Sequence, residues 1–225
     1  MKAGDVENFL VSELPAMCRD DLHGEAGYAL PAASLALLAD CAARLKVRRV
    51  FEFGSGQSTR EFLRAGCRVA VVEDSDAWLA ETSRALDSAQ RERFTPFVLP
   101  LRRLWLAAAP LRSWVLPEVA LTALREADLV LVDSPAWPPF REHALALALA
   151  HCREALIVVD DANIPTVRRF CRRLAVQNHR CHFQTSMDHG LFFTLGAPGD
   201  TIDTRRPLLE TAKAWRRYFL APVVR

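Results

Sequence analysis

The clearest structural signal in this chain is the run Arg49-Val-Phe-Glu-Phe-Gly-Ser-Gly-Gln-Ser-Thr59. An apolar run ends at Phe53, Gly54-Ser55-Gly56 forms a tight turn, and a helix is expected to begin near Ser58. Glycine permits a positive φ and lets a ligand approach the backbone closely. The N-terminus of the following helix offers unpaired N–H groups to an anionic group. The stretch therefore predicts a strand, a ligand-binding turn and a helix in succession.

Other short apolar runs occur further along the chain, with helical stretches between them. The runs are 68–73, 129–133 and 156–160, and the predicted helices are 59–65, 78–89, 140–151 and 166–177. Continuous apolar runs of this length are typical of strands that are buried on both faces of a parallel sheet. Alternating strands and helices predict an α/β fold, in which a Rossmann-like doubly wound sheet is covered on both faces in a three-layer α/β/α sandwich.

The remaining segments complete one predicted domain. A further strand is expected at 94–99. The apolar runs 181–186 and 191–195 flank Asp188-His189-Gly190, and this pattern predicts a hairpin whose last strand runs antiparallel to its neighbours. The segment 101–127 is too long for a plain loop and is interpreted as a helical insertion or cover. Residues 1–45 are predicted to be a helical extension with a helix at 34–45, residues 46–197 the catalytic core, and residues 198–225 a tail with a helix at 207–219.

Composition excludes several classes of protein. Half of the residues, 51%, are apolar, and the formal net charge is only +2, which argues against a disordered chain and against a dedicated nucleic-acid binder. No apolar segment approaches the roughly 18–20 residues of a membrane-spanning helix, so no membrane partner is expected. The six cysteines form no CxxC pair, and we expect them to be buried thiols in a reducing cytoplasm.

Glu73 ends the second predicted strand and is the natural partner of the glycine turn. A carboxylate at that place can accept hydrogen bonds from both ribose hydroxyls of a nucleoside. A dinucleotide fingerprint would need a third glycine where Thr59 stands. The alternative is that the turn is purely structural and that Glu73 is only solvated. Together, the turn and the acid favour a nucleoside cofactor.

The sequence here resembles the class I S-adenosylmethionine-dependent methyltransferases. Their first motif, acidic-x-Gly-x-Gly, is matched by Glu52-Phe53-Gly54-Ser55-Gly56, and their second-strand acid by Glu73 in Val71-Val72-Glu73-Asp74. The run Glu-Phe-Gly-Ser-Gly-Gln-Ser-Thr is similar to the loop of bacterial small-molecule methyltransferases that are distantly related to catechol and caffeoyl-CoA O-methyltransferases. The resemblance covers roughly residues 30–195 and implies a seven-stranded sheet with an antiparallel last strand.

The resemblance also implies a cofactor and its binding residues. In that family, the glycine turn holds the methionine portion of S-adenosylmethionine and the second-strand acid holds the ribose. The residues carried over as cofactor-binding are Glu52, Gly54, Ser55, Gly56, Ser58, Glu73 and Asp74. The chain departs from the family after the third strand, where Pro100-Leu101-Arg102 replaces the usual polar or acidic residue, so the adenine contact is unassigned.

Carboxylates follow two later strands. Asp133 ends one apolar run, and Asp160-Asp161 end the next. The carboxyl ends of parallel strands meet at one edge of the sheet, and clustered carboxylates suit Mg²⁺ or another divalent cation. In the catechol-type enzymes, acids and an asparagine at such positions hold a metal, although here Asp161 replaces the asparagine and Asn163 is displaced by two residues. The alternatives are that Asp160 binds backbone in the turn and that Asp161 caps the helix beginning near Pro165.

Three further features carry weaker predictions. One is the run Trp137-Pro138-Pro139-Phe140, which is similar to the Asn/Asp-Pro-Pro-Tyr/Phe motif of amino-group methyltransferases. Because a tryptophan stands where that motif has an amide or a carboxylate, we interpret the segment as the start of a helix, with Trp137 shielding a pocket. His189 is either a hairpin turn residue or a general base. Tyr28 is a candidate lid residue.

These predictions converge on one function. We expect methyl transfer from S-adenosylmethionine to a small-molecule acceptor at oxygen, with Asp133 as the catalytic residue, either alone or with Asp160 and Asp161 around a metal. Two alternatives share the same sheet: an NAD(P)-dependent oxidoreductase and a non-catalytic S-adenosylmethionine-binding module. The sequence does not identify the acceptor, and a homodimer is left open.

Overall fold

The structure is a computed structural model, and it describes residues 1–18, 30–106, 109–134, 141–152, 154–177, 181–185 and 189–196. Three sequence predictions lie outside these residues: the lid residue Tyr28, the Trp137–Phe140 segment, and the C-terminal tail with its helix at 207–219.

Within the described residues, the main sheet has seven strands. They are β1 (Arg49–Phe53), β2 (Arg68–Glu73), β3 (Phe94–Val98), β6 (Leu129–Val132), β7 (Leu156–Val159), β8 (Cys181–Thr185) and β9 (Gly190–Leu195). A separate hairpin pairs β4 (Arg102–Leu106) with β5 (Ala109–Ser113). Each strand of the main sheet coincides with a predicted one to within a residue or so at its ends. For β6 and β7, all of whose residues are buried, the reason is that short, continuous apolar runs have few other ways to be buried.

The helices of the described residues precede the sheet and connect its strands. They are α1 (Ala3–Asn8), a π-helical turn (Phe9–Glu13), α2 (Leu14–Met17), α3 (Ala32–Arg44), α4 (Gln57–Arg64), α5 (Asp76–Arg84), α6 (Ser88–Arg91), α7 (Glu118–Arg125), α8 (Arg141–His151) and α9 (Pro165–Gln177). None of the helices in the described part of the chain combines the length and apolar character that a bilayer crossing requires.

The order of strands in the sheet is β3-β2-β1-β6-β7-β9-β8. The first five strands are parallel, and β9 runs antiparallel to both β7 and β8. The predicted Rossmann-like fold with an antiparallel last strand is therefore confirmed. The chain direction across the sheet reverses at β1, between β2 and β6, and open α/β sheets bind ligands beside the carboxyl ends of the strands at this point.

Two hydrophobic clusters cover the faces of the sheet, as the predicted three layers require. Phe51 and Phe53 of β1 belong to one cluster, together with Trp114 and the helices α7 and α8. Val50 belongs to the other, together with α3 and α4. Since successive side chains of a strand point to opposite faces, Glu52 shares the face of Val50 and points towards α4.

Two local predictions were wrong. Residues 102–106 and 109–113 are the paired strands β4 and β5 rather than a helical cover, since Pro110 cannot continue a helix, and among the described residues of the segment 101–127 the helical part is α7. The single helix predicted at 78–89 is divided into α5 and α6. The break comes at Asp87, whose side chain accepts a hydrogen bond from the Gln90 backbone N–H at 2.8 Å while Gln90 Oε1 accepts one from the Asp87 N–H at 3.0 Å. This reciprocal cap starts a new helix.

Candidate functional site

The turn after β1 requires glycine at its first position. Gly54 has a φ of 100°, a region that side chains with a Cβ rarely adopt, and its N–H donates to the Val72 carbonyl at 2.9 Å. A Cβ on Gly54 would lie 2.6 Å from Cβ of Ser134, which follows β6. The turn is therefore packed tightly between the ends of β2 and β6.

Glu52 supports the turn from behind. Thr59 Oγ1 donates to Glu52 Oε2 at 2.6 Å and accepts the N–H of Gly56 at 3.1 Å, which ties the first turn of α4 to β1. Glu52 is fully buried, and its Oε1 has no hydrogen-bond partner among the described residues. Burial raises the pKa of Glu52 to about 7, although the hydroxyls of Ser58 and Thr59 oppose the shift. The acid of the first motif thus holds the turn and α4 together.

The structure places Glu73 directly beside the glycine turn. Glu73 Oε2 accepts the N–H of Ser55 at 2.9 Å and its hydroxyl at 3.0 Å. Glu73 Oε1 accepts the N–H groups of Asp74 at 2.9 Å and Ser75 at 3.1 Å. A carboxylate has about four lone-pair sites, so the protein itself occupies all of them. A ribose hydroxyl can reach this carboxylate only by replacing one donor, and the Ser55 hydroxyl is the only one that a side-chain rotation removes.

A cavity of about 480 Å³ opens beside the turn, within the range of ligand pockets in proteins. Four residues predicted from the sequence line it: Ser55, Gly56, Ser58 and Asp133. Its other described lining residues are Leu30, Gln57, Arg60, Trp78, Glu81, Thr82, Arg84 and Ala85. The cavity therefore joins the N-terminus of α4 to the carboxylate at the end of β6.

The wall formed by α5 was missed in the sequence analysis. Trp78 is 44% exposed, and its indole N–H donates to the Ser55 carbonyl in a short hydrogen bond. Thr82 Oγ1 lies 3.5 Å from Ser55 Oγ. No sequence pattern marks this wall, because a single exposed aromatic side chain is common on protein surfaces and only the contact with Ser55 gives Trp78 a place in the site.

The carboxylates after β6 and β7 are also brought together, but around an arginine. Arg141, at the start of α8, is only 5% exposed. Its Nη2 lies 3.1 Å from Asp133 Oδ1 and 2.8 Å from Asp161 Oδ2, and its Nη1 lies 3.3 Å from Asp160 Oδ2. The backbone holds these strand ends in line, since Asp133 N–H donates to Phe53 and Asp160 N–H to Val132, at 3.0 and 2.9 Å.

The same cluster sets the charge state of its acids. Burial and the nearby Asp160 raise the pKa of Asp133 well above its usual range, although Arg141 opposes them. Burial opposes ionisation of Asp160 as well, but His189 and Arg141 together lower its pKa to about 2. His189 is buried, and its Nε2 lies 3.0 Å from Asp160 Oδ1. His189 therefore belongs to the cluster and is more than a turn residue.

The three carboxylates as placed do not fit a divalent cation. The Arg141 guanidinium already contacts an oxygen of each of them, in the space that a shared metal would need. Asp160, Asp161 and His189 also lie close enough to share an ion, but it would lie beside the same guanidinium. The proposed capping role of Asp161 is wrong too: its φ is 57° and α9 begins only at Pro165.

Comparisons with known proteins give structural relatives alone. A scan against protein-family models found no match, and neither did a search of curated proteins. Three of the similar solved structures are methyltransferases or are assigned as such. A protein from Staphylococcus aureus, assigned as a caffeoyl-CoA O-methyltransferase, is 12% identical, with a TM-score of 0.51 over 72% of this chain and 83% of its own.

The other two are of different acceptor classes. A precorrin-6Y C5,15-methyltransferase from Geobacter metallireducens is 12% identical, with a TM-score of 0.51 over 80% of this chain and 97% of its own. An RNA methyltransferase from Salinibacter ruber, in complex with S-adenosyl-L-homocysteine, is 10% identical, with a TM-score of 0.50 over 79% of this chain and 99% of its own. The chain therefore has the fold of the S-adenosylmethionine-dependent methyltransferases.

Proposed function

We propose that the protein transfers the methyl group of S-adenosylmethionine to an oxygen atom of a small-molecule acceptor. One observation carries the proposal: Asp133 and the glycine turn line the same cavity at the switch point of a methyltransferase fold. The acid that could receive a proton and the turn that could hold the cofactor thus face one space.

The chemistry of the lining suits the charges of S-adenosylmethionine. Its carboxylate is suited to the N-terminus of α4 at Gln57 and Ser58, where backbone N–H groups and the helix dipole favour an anion. The ammonium and sulfonium groups are suited to the Asp133 carboxyl and to Glu81 of α5, which also lines the cavity. Trp78 provides an apolar surface beside the turn.

We assign the ribose to Glu73, with a consequence for Ser55. Because both Glu73 oxygens are fully hydrogen-bonded by the protein, the Ser55 hydroxyl must turn away when a ribose hydroxyl binds. The backbone donors of Ser55, Asp74 and Ser75 remain and keep the carboxylate oriented. Gly54 and Glu52 act indirectly, by fixing the turn.

In the transfer step the chain aligns the reactants and handles one proton. The sulfonium supplies an activated methyl group. The acceptor oxygen forms a bond to the methyl carbon as the carbon–sulfur bond breaks and its electron pair returns to sulfur. Asp133 accepts the proton that leaves the acceptor hydroxyl, and burial together with the nearby Asp160 raises its pKa, which makes the carboxylate a stronger base. Arg141 holds the Asp133 carboxylate towards the cavity.

The acceptor class and the compartment are supported by overall properties of the chain. With a net charge of +2, the chain has no large excess of basic over acidic residues to neutralise nucleic-acid phosphates, so we assign a small molecule as the partner. The six cysteines are free, which suits the reducing cytoplasm.

The proposal is tested by transfer of a labelled methyl group from S-adenosylmethionine to a panel of small hydroxyl compounds, amines and RNA. We expect label in hydroxyl compounds, and a loss of about 10²-fold or more for Asp133→Asn, as for other general bases. The matched control is Glu118→Gln, because Glu118 is an exposed acid that is not among the residues lining the cavity. Label in RNA or amines alone would contradict the acceptor assignment, and binding of cofactor without transfer to any class would favour a non-catalytic module.

A further inference from the structure

The carboxylate cluster at the ends of β6 and β7 has a cation of its own. Each of Asp133, Asp160 and Asp161 has an oxygen within 3.3 Å of a terminal nitrogen of Arg141. The guanidinium is planar and always charged, and its nitrogens donate in fixed directions, so one such group can serve several carboxylates at once. The arrangement resembles a metal-centred acidic site in which the central ion is replaced by a side chain.

We propose that Arg141 takes the place of a divalent cation in this cluster, and that it is a positioning residue that holds Asp133 at the edge of the cavity without metal. The replacement of a divalent cation concerns only the charges of this chain. The positioning role rests on the proposed function, in which Asp133 accepts the proton of the acceptor.

The distances make a shared metal and Arg141 mutually exclusive. Mg²⁺ binds oxygen at about 2.1 Å, so ligating carboxylates must close around it and leave no room for a guanidinium between them. Arg141 Nη2 is already 2.8 Å from Asp161 and 3.1 Å from Asp133, which are ordinary charge-assisted hydrogen-bond distances. An added cation would also be repelled by the buried guanidinium beside it.

Burial explains why the cluster keeps its arginine. Asp160 and Arg141 are 7% and 5% exposed, so water does not screen them. Carboxylates held this close need a counter-charge. The backbone of Asp161 is fixed in its left-handed conformation by two hydrogen bonds: Ile164 N–H donates to its carbonyl at 2.9 Å, and the next N–H, of Ala162, donates to Gly190 at 2.8 Å. The acids are thus preorganised around the guanidinium.

Calorimetric titration with Mn²⁺ tests the proposal, because Mn²⁺ accepts both carboxylate and imidazole ligands. For the wild-type protein we expect no saturable site tighter than about 1 mM, the range of weak carboxylate sites. Removing the cation with Arg141→Ala should create one Mn²⁺ site at least about tenfold tighter, since affinity follows ligand charge. Adding Asp161→Asn to that variant should weaken the new site, and Arg141→Lys, which keeps the charge, should not acquire one.

Two results would overturn the proposal. One is a stoichiometric Mn²⁺ site in the wild-type protein that Asp160→Asn abolishes. The other is a folded Arg141→Ala variant that acquires no site. If Arg141→Ala does not fold, the wild-type titration still decides, because it needs no variant. A titration of the same wild-type sample with S-adenosylhomocysteine separates the two proposals: absence of binding would contradict the proposed function and leave the metal result intact.

Discussion

The buried acid behind the glycine turn gives the most quantitative prediction, through the change Glu52→Gln. The substitution keeps the shape of the side chain and an oxygen that can accept the Thr59 hydroxyl, which lies 2.6 Å from Glu52 Oε2. It removes only the capacity to ionise in a fully buried position. The variant therefore isolates the cost of a buried charge.

The size of the effect follows from the pKa of Glu52, which burial raises from 4.5 to about 7. Between these pH values the unfolded chain has lost the proton and the folded chain retains it. The free energy of unfolding of the wild-type protein therefore loses a contribution as pH rises through this window, and the loss is complete above pH 7. At about 1.4 kcal/mol for each tenfold change in the ionisation constant, the total is about 3 kcal/mol.

Urea denaturation of wild type and Glu52→Gln across the window from pH 4.5 to about 8 measures this directly. We expect the stability of the variant relative to wild type to increase by up to about 3 kcal/mol between the two ends. Glu118→Gln, whose carboxylate is 73% exposed, is the control and should show a difference of less than about 1 kcal/mol at every pH. A stability difference for Glu52→Gln that is independent of pH, or that changes in the opposite direction, would refute the reasoning.

The remaining predictions concern the turn and the charge cluster. Gly54→Ala should lower the free energy of unfolding, measured in urea, by about 2–4 kcal/mol, because of the positive φ of Gly54 and the contact of the new Cβ with Ser134. Adding Ser134→Gly should recover part of that loss, and no recovery would show that the contact with Ser134 is unimportant. Ser55→Ala should tighten S-adenosylhomocysteine binding by up to about tenfold in calorimetry, since it frees an oxygen of Glu73, whereas weaker binding would show that the hydroxyl itself holds the ligand. Arg141→Met should reduce the free energy of unfolding by about 3–5 kcal/mol and so lower the melting temperature, and Arg141→Lys should reduce it by less. Equal stability of Arg141→Met and wild type would show that the cluster needs no counter-charge.

The positions of the central strands along the chain were predictable because β6 and β7 are short, continuous and apolar, whereas the number of strands followed from the family resemblance. The glycine turn was also predictable from the sequence. The positive φ at Gly54 and the close approach of Ser134 leave few residues other than glycine possible at that position. The proximity of Glu73 to the turn followed from the parallel order of β1 and β2, because carboxyl ends of neighbouring parallel strands meet at one edge.

The missed features depend on contacts between distant segments. Arg141 lies 8 residues after Asp133 and reaches Asp160 and Asp161 only in the folded chain, so the carboxylates at the strand ends, considered without it, suggested a metal. The pairing of β4 with β5 is not marked in the sequence, because three consecutive alanines at 107–109 favour a helix. Trp78 gained its role from the Ser55 carbonyl, which no sequence pattern marks.

The proposed function requires that the cavity beside the glycine turn and Glu73 binds an S-adenosyl nucleoside. Calorimetry with S-adenosylhomocysteine on wild type, Glu73→Ala and the control Glu118→Ala measures this most directly. We predict saturable binding to the wild type and control, and a loss of at least about tenfold for Glu73→Ala, the value of one charge-assisted hydrogen bond. Negligible heat for the wild type, or equal affinity for Glu73→Ala, would contradict the claim.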